Sequence, residues 1–99
     1  MMKPKEPAAL LKENRALLKK HHVKTLYLFG SVVRGEDTPG SDVDILVEFE
    51  PDARIGLFAL ARLQRQLSEI LYRPVDLATP DALHKALKDR IMNEAVRVA

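Results

Sequence analysis

Asp42 and Asp44 are the residues in this chain best suited to hold metal ions. They open an alternating run, residues 42–49, and alternate residues of a strand project to the same side of a sheet. Two carboxylates this close repel each other unless a proton or a cation lies between them. Magnesium takes hard oxygen ligands and is usually held by one or two carboxylates together with substrate phosphates. The pair therefore predicts a magnesium site that a triphosphate would complete.

Gly30 and Ser31 supply the other half of the predicted site. They follow an apolar stretch, residues 25–29, where we expect a strand to end and a helical turn to begin. Backbone N–H groups at such a junction lack partners within the helix, so they can bind a phosphate together with the serine hydroxyl. The missing side chain of Gly30 permits close approach. Taken alone, the two residues would indicate only a turn.

Asp76 is the expected third acid. It lies between Val75 and Leu77 in a short stretch that is typical of a strand, so its side chain should project to the face opposite theirs. Asp52 and Asp81 remain alternatives, because the register of a short strand is weakly specified by sequence. We expect one of these acids, and Asp76 in particular, to join Asp42 and Asp44.

Arg34 is a candidate contact for a triphosphate or a partner, since a guanidinium suits bidentate phosphate binding. An exposed arginine in a helical turn is as often only solvated surface. The two aspartates also have a plainer interpretation, because charged residues on an edge strand discourage aggregation. Their spacing from Gly30-Ser31 favours the metal site.

The order Gly30-Ser31, ten intervening residues, then Asp42-Val43-Asp44 resembles the signature of the DNA polymerase beta superfamily of nucleotidyltransferases. The chain length is similar to that of the stand-alone minimal members of this superfamily. The resemblance implies that Gly30 and Ser31 hold nucleotide phosphates and that Asp42 and Asp44 bind two magnesium ions. It also implies that a third carboxylate, here Asp76, helps bind the catalytic ion and prepares the acceptor hydroxyl.

The same resemblance implies an activity and a partner. Members of the superfamily move a nucleoside monophosphate, here AMP from ATP, to a hydroxyl and release pyrophosphate. Many carry a second, helical domain, and nothing after Ala78 is long enough to supply one, so we expect a partner protein. Minimal members resemble the antitoxin of modules in which a HEPN-type ribonuclease toxin is silenced by adenylylation. Two alternatives stay open: a non-catalytic nucleotide-binding antitoxin that acts by contact, and a nucleotidyltransferase that acts on a small molecule or an RNA end.

Hydrophobic periodicity predicts the elements that position these residues. A stripe of leucines predicts a long helix over residues 53–72, with Tyr72 packed at its end. We expect Thr79 to cap the last helix and Pro80 to lie in its first turn. The remaining predicted elements are a helix at 7–21, strands at 25–29, 42–49 and 74–78, and a turn at 39–41. The pattern predicts an α/β (α+β) nucleotidyltransferase fold, with helices flanking a small mixed sheet of about three or more strands.

Composition limits the remaining possibilities. A chain of 99 residues leaves room for one core, so we expect a single domain over residues 1–99. The net charge of +2 gives little reason to expect nucleic-acid binding. The absence of cysteine excludes disulfides and thiolate metal sites and fits a cytoplasmic protein. Prolines and charges near the amino terminus argue against a signal peptide or a membrane span.

Overall fold

A computed structural model of the protein describes residues 5–38 and 40–98; Pro39, within the predicted turn, lies outside the described residues. The helices are α1 (Lys5–Glu13), α2 (Arg15–Lys20), α3 (Ser31–Arg34), α4 (Leu57–Leu71) and α5 (Lys85–Glu94). The strands are β1 (Val23–Phe29), β2 (Val43–Phe49), β3 (Val75–Ala78) and β4 (Val96–Arg97). A short 3₁₀ turn at Pro80–Ala82 follows β3.

The four strands form one mixed sheet in the order β3-β2-β1-β4. β1 is antiparallel to both β2 and β4, whereas β2 and β3 are parallel. Parallel strands need a crossover connection, and α4 supplies it between β2 and β3. The predicted small mixed sheet with flanking helices is therefore confirmed. The two-residue strand β4 was not predicted because it is too short to show a periodic pattern.

The core lies between the sheet and the helices. Leu63, Leu67 and Leu71 of α4 are buried and belong to the same apolar cluster as the alternate residues Val43, Ile45 and Val47 of β2. These three leucines of the stripe therefore pack into the core as expected, whereas Leu57, which the stripe also included, is 78% exposed. Leu46 lies on the other face of β2 and is also fully buried, so the face that carries Asp44 is covered farther along the strand.

The amino-terminal helix differs from the prediction of one element over residues 7–21. It is interrupted at Asn14, whose side-chain Nδ2 donates a hydrogen bond to the carbonyl oxygen of Leu10 at 2.8 Å. Asparagine side chains compete in this way with the helical backbone pattern. His21, at the end of α2, hydrogen bonds through Nε2 to Oε1 of Gln66 at 2.6 Å, which ties this segment to α4.

Three further predictions about the second half of the chain were wrong. α4 begins at Leu57, after Gly56, and not near residue 53. Tyr72 does not pack at the end of α4; it caps the helix in a left-handed conformation (φ 57°) with its side chain 89% exposed. Thr79 makes no side-chain cap, and the chain completes only a 3₁₀ turn before α5 begins at Lys85.

No helix within the described part of the chain has the length and apolar character needed to cross a bilayer.

Candidate active site

Gly30 forms the junction between β1 and α3. Its backbone has φ 79° and ψ −151°, a region that essentially only glycine occupies without strain. Its carbonyl oxygen accepts hydrogen bonds from the N–H groups of Val33 and Arg34, at 3.1 and 3.2 Å, and so starts the short helix. The N–H groups of Ser31 and Val32 belong to the first turn, where a helix offers them no acceptor. The local backbone thus presents donors at the point where the sequence predicts a phosphate.

Asp44 lies directly against this junction. The antiparallel register of β1 and β2 pairs Asp44 with Phe29, the residue before Gly30. A Cβ atom placed on Gly30 would overlap Oδ2 of Asp44 and lie 3.0 Å from its Cγ. The carboxylate therefore occupies the space that a side chain at position 30 would need. The sequence predicted that a ligand would approach Gly30 closely. In the structure it is the Asp44 carboxylate that lies close to Gly30.

The parallel pairing of β2 and β3 places Asp76 opposite Asp44. Residues paired in this way project to the same face, and neighbouring strands are about 4.8 Å apart. Val75 and Leu77 are buried and Asp76 is exposed, which agrees with the predicted alternation. Asp42 is exposed and lies one residue before β2. The structure thus brings Asp42, Asp44 and Asp76 to one end of the sheet.

The two alternative acids lie elsewhere. Asp52 belongs to the turn after β2, at the opposite end of that strand from Asp42. Asp81 lies on the 3₁₀ turn and lines a groove of about 650 Å³ together with Phe49 and Leu57. This groove is lined by none of Gly30, Ser31, Arg34, Asp42, Asp44 and Asp76. By position, Asp76 is the acid that accompanies Asp44.

The charges around Asp44 favour a bound cation. Partial burial raises the pKa of the Asp44 carboxyl above its ordinary value, and the negative charges of Asp76 and then Asp42 raise it further. The positive charge of Arg34 lowers this pKa, and Glu94 opposes that effect. The ionised carboxylates therefore repel one another, and a divalent cation between them would relieve the repulsion.

The donor set fits magnesium completed by a substrate. Among the described residues, no three His, Asp or Glu side chains already converge into a metal cage. Magnesium commonly takes only one or two protein carboxylates and fills its remaining positions with water and phosphate oxygens. Asp42 and Asp44 offer hard oxygen ligands of this kind beside the donors of the Gly30 junction. This arrangement suits a metal that arrives together with a triphosphate.

Arg34 ends α3, and its guanidinium is engaged by two acids. Nε donates to Oε1 of Glu36 and Nη1 donates to Oε1 of Glu94, both at 2.6 Å. These hydrogen bonds raise the pKa of Arg34, so the side chain stays charged. The side chains of Arg34 and of both acids are at least partly exposed. Nη2 takes part in neither ion pair, so it can donate to a phosphate oxygen while both carboxylates stay bound.

Sequence reasoning missed Arg73 and Asp37. Their side chains form an ion pair with Nη1 and Oδ2 2.9 Å apart, and they are only 3% and 2% exposed. The pair joins the loop before β2 to the segment before β3. The residues are 36 positions apart, and neither lies in a periodic pattern, so the sequence alone does not indicate that they pair.

Comparison with known proteins identifies the family. Residues 9–98 match the model of the nucleotidyltransferase domain family. The chain belongs to this family. It is 48% identical over 82 residues to a "putative protein adenylyltransferase" of Methanocaldococcus jannaschii, covering 83% of this chain and 86% of that protein. It is 34% identical to the protein adenylyltransferase MntA of Thermococcus cleftensis, covering 90% of this chain and 88% of the relative.

Solved structures of nucleotidyltransferases share the fold. A structure described as a "putative minimal nucleotidyltransferase" superposes with a TM-score of 0.80 at 32% identity, over 96% of this chain and 95% of the other. A chain in the structure of a tri-AMPylated Shewanella oneidensis HEPN toxin in complex with MNT antitoxin superposes with a TM-score of 0.63 at 22% identity. The match covers 90% of this chain and 70% of that chain. The predicted family, fold and enzyme class are confirmed: the protein is a nucleotidyltransferase.

Proposed function

We propose that this nucleotidyltransferase moves AMP from ATP to a hydroxyl group of a partner protein, with magnesium as cofactor. The observation that carries the proposal is the contact between the Asp44 carboxylate and the Gly30 junction. It joins the acidic half of the site to the phosphate-binding half, and the pairing with Asp76 adds a third acid. A phosphate chain bound at Gly30 would lie within reach of cations held by the acids.

Each residue has a proposed role. The Ser31 hydroxyl and the N–H groups of the junction bind the triphosphate, and Arg34 donates from Nη2 to a phosphate oxygen. Asp42 and Asp44 would hold two magnesium ions, one of them with help from Asp76, and the ions would supply Lewis-acid stabilisation of the phosphates and a lowered pKa for the attacking hydroxyl. Asp76 is exposed at the edge of the site, where it orients the acceptor hydroxyl and takes up its proton. The hydroxyl oxygen then bonds to the α-phosphorus and pyrophosphate leaves.

The proposed acceptor is a HEPN-type toxin, which makes this protein the antitoxin of a two-component module. The relatives named as protein adenylyltransferases support a protein acceptor. The AMPylated HEPN toxin seen with its MNT antitoxin supports both the partner and the modification. We place this reaction in the cytoplasm, which the absence of cysteine favours.

The test combines the protein with magnesium, ATP labelled on the α-phosphate and a purified HEPN-type toxin. We expect label on the HEPN protein, and we expect Asp44→Ala to abolish it. Asp52→Ala removes an acid at the opposite end of β2 and should transfer AMP as the wild type does. Persistent transfer by Asp44→Ala would refute the assignment. Neutralisation of the toxin by an Asp42→Ala, Asp44→Ala double variant would show instead that the antitoxin acts by contact.

A further inference from the structure

The loop between α3 and β2 is held by a buried ion pair that the proposed chemistry does not use. Arg73, between α4 and β3, pairs with Asp37 at 2.9 Å, and both side chains are almost wholly buried. Removing two charges from water costs stability unless further hydrogen bonds satisfy them. The further hydrogen bonds made by Arg73 therefore decide how well this pair is stabilised.

The Arg73 guanidinium makes those further hydrogen bonds to the loop itself. Nε and Nη2 both donate to the carbonyl oxygen of Ser41, at 3.1 and 2.9 Å. Nη2 also donates to Ser41 Oγ at 2.9 Å and to the carbonyl oxygen of Thr38 at 3.1 Å. The loop is closed on itself, because the Ser41 N–H donates to Thr38 O and the Thr38 N–H donates to Ser41 Oγ. One planar side chain thus fixes both sides of the turn that precedes Asp42.

Asp42 lies between two anchored residues. Ser41, on one side, is held by Arg73. Val43, on the other side, donates its N–H to the carbonyl oxygen of Pro74 at 2.9 Å. Both anchors belong to the segment 73–74, which leads directly into β3 and Asp76. The backbone position of the exposed Asp42 therefore depends on the segment that also places Asp76.

We propose that Arg73 is a positioning residue that fixes Asp42 relative to Asp44 and thereby sets the affinity of the site for Mg·ATP. The inference rests on the proposed function for the identity of the ligand. The attachment of the loop to Arg73 does not depend on that ligand, because it follows from the hydrogen bonds to Thr38 and Ser41. Supporting residues of this kind around metal ligands typically change metal affinity or activity by about 10- to 100-fold.

Arg73→Lys is the informative variant, because it keeps the positive charge for Asp37 but lacks the planar fork that serves Ser41 and Thr38. Amide hydrogen exchange measured by NMR reports on the loop, and calorimetric titration with Mg·ATP reports on the site. We expect the Thr38 and Ser41 amides to lose protection and the Kd for Mg·ATP to rise about 10-fold or more. Arg65→Lys, at an exposed arginine 3.9 Å from Glu69, should leave both readouts unchanged.

Three results would overturn the role proposed for Arg73. Unchanged Mg·ATP affinity in Arg73→Lys overturns it, whether or not the loop amides lose protection. If that variant does not fold, Asp37→Leu with Arg73→Met removes both buried charges together, and the same two readouts apply. Wild-type affinity in the folded double variant likewise overturns the inference. If the wild-type protein binds no Mg·ATP, the proposed function fails and the inference falls with it.

Discussion

Replacing Gly30 by alanine should damage both the fold and the site. The new Cβ would overlap Oδ2 of Asp44 and lie 3.0 Å from its Cγ, so the carboxylate must move by more than about 1 Å to reach an ordinary non-bonded distance. The backbone at φ 79° and ψ −151° adds strain of about 1–3 kcal/mol for any residue with a side chain. A displacement of about 1 Å in a reacting group can cost about 100-fold in rate. We expect losses of that order in AMP transfer.

Two other glycines separate the causes of this effect. Gly35 has φ 73°, but a Cβ added there would have no atom within 4 Å, so Gly35→Ala tests backbone strain without a clash. A Cβ added to Gly40 would also meet nothing within 4 Å, and Gly40 is not among the glycines with φ between +20° and +160°. Urea unfolding should show destabilisation for Gly30→Ala and Gly35→Ala and little change for Gly40→Ala. Only Gly30→Ala should lose Mg·ATP binding. Wild-type binding and transfer by Gly30→Ala would refute the reasoning.

Three further predictions concern stability. Burial and nearby acids raise the pKa of Asp44. Between the ordinary and the raised pKa, the native protein therefore holds a proton that the unfolded chain has released. The free energy of unfolding thus falls as the pH rises through that window. Asp44→Asn should therefore raise Tm at neutral pH while abolishing Mg·ATP binding, and a lowered Tm would contradict this. Leu67→Ala empties a fully buried position and should cost about 2–5 kcal/mol in urea unfolding; a loss below that range would mean that the core collapses around the gap. Tyr72 is exposed and left-handed, so Tyr72→Gly should relieve backbone strain of roughly 1–2 kcal/mol. The greater entropy of the unfolded glycine chain offsets part of this gain, and we expect a higher urea midpoint. A lower midpoint would show that the tyrosine ring contributes packing.

Local patterns account for what the sequence could predict. The alternation around Val43 and Val75 placed each strand and the face of its acid, because side-chain direction in a strand depends only on parity. The leucine stripe located α4 for the same kind of reason. The family resemblance rested on spacing within one short segment, residues 30–44, where the chain itself fixes which groups can meet.

Contacts between distant segments could not be predicted in this way. The pairing of Asp44 with Asp76 follows from the parallel register of β2 and β3, which strand patterns alone do not specify. The Arg73–Asp37 ion pair joins residues 36 positions apart. The break at Asn14 was missed because the apolar spacing continues across it, although the asparagine itself signals competition with the helical backbone.

The most direct test of one shared site is a crystal structure of the wild-type protein with magnesium and AMP-PNP. We predict metal ions between the carboxylates of Asp42 and Asp44 and the triphosphate, with the phosphates bound by the Gly30 and Ser31 backbone and the Ser31 hydroxyl. A nucleotide bound elsewhere, such as in the groove beside Phe49 and Leu57, with no metal on the two aspartates, would contradict the account.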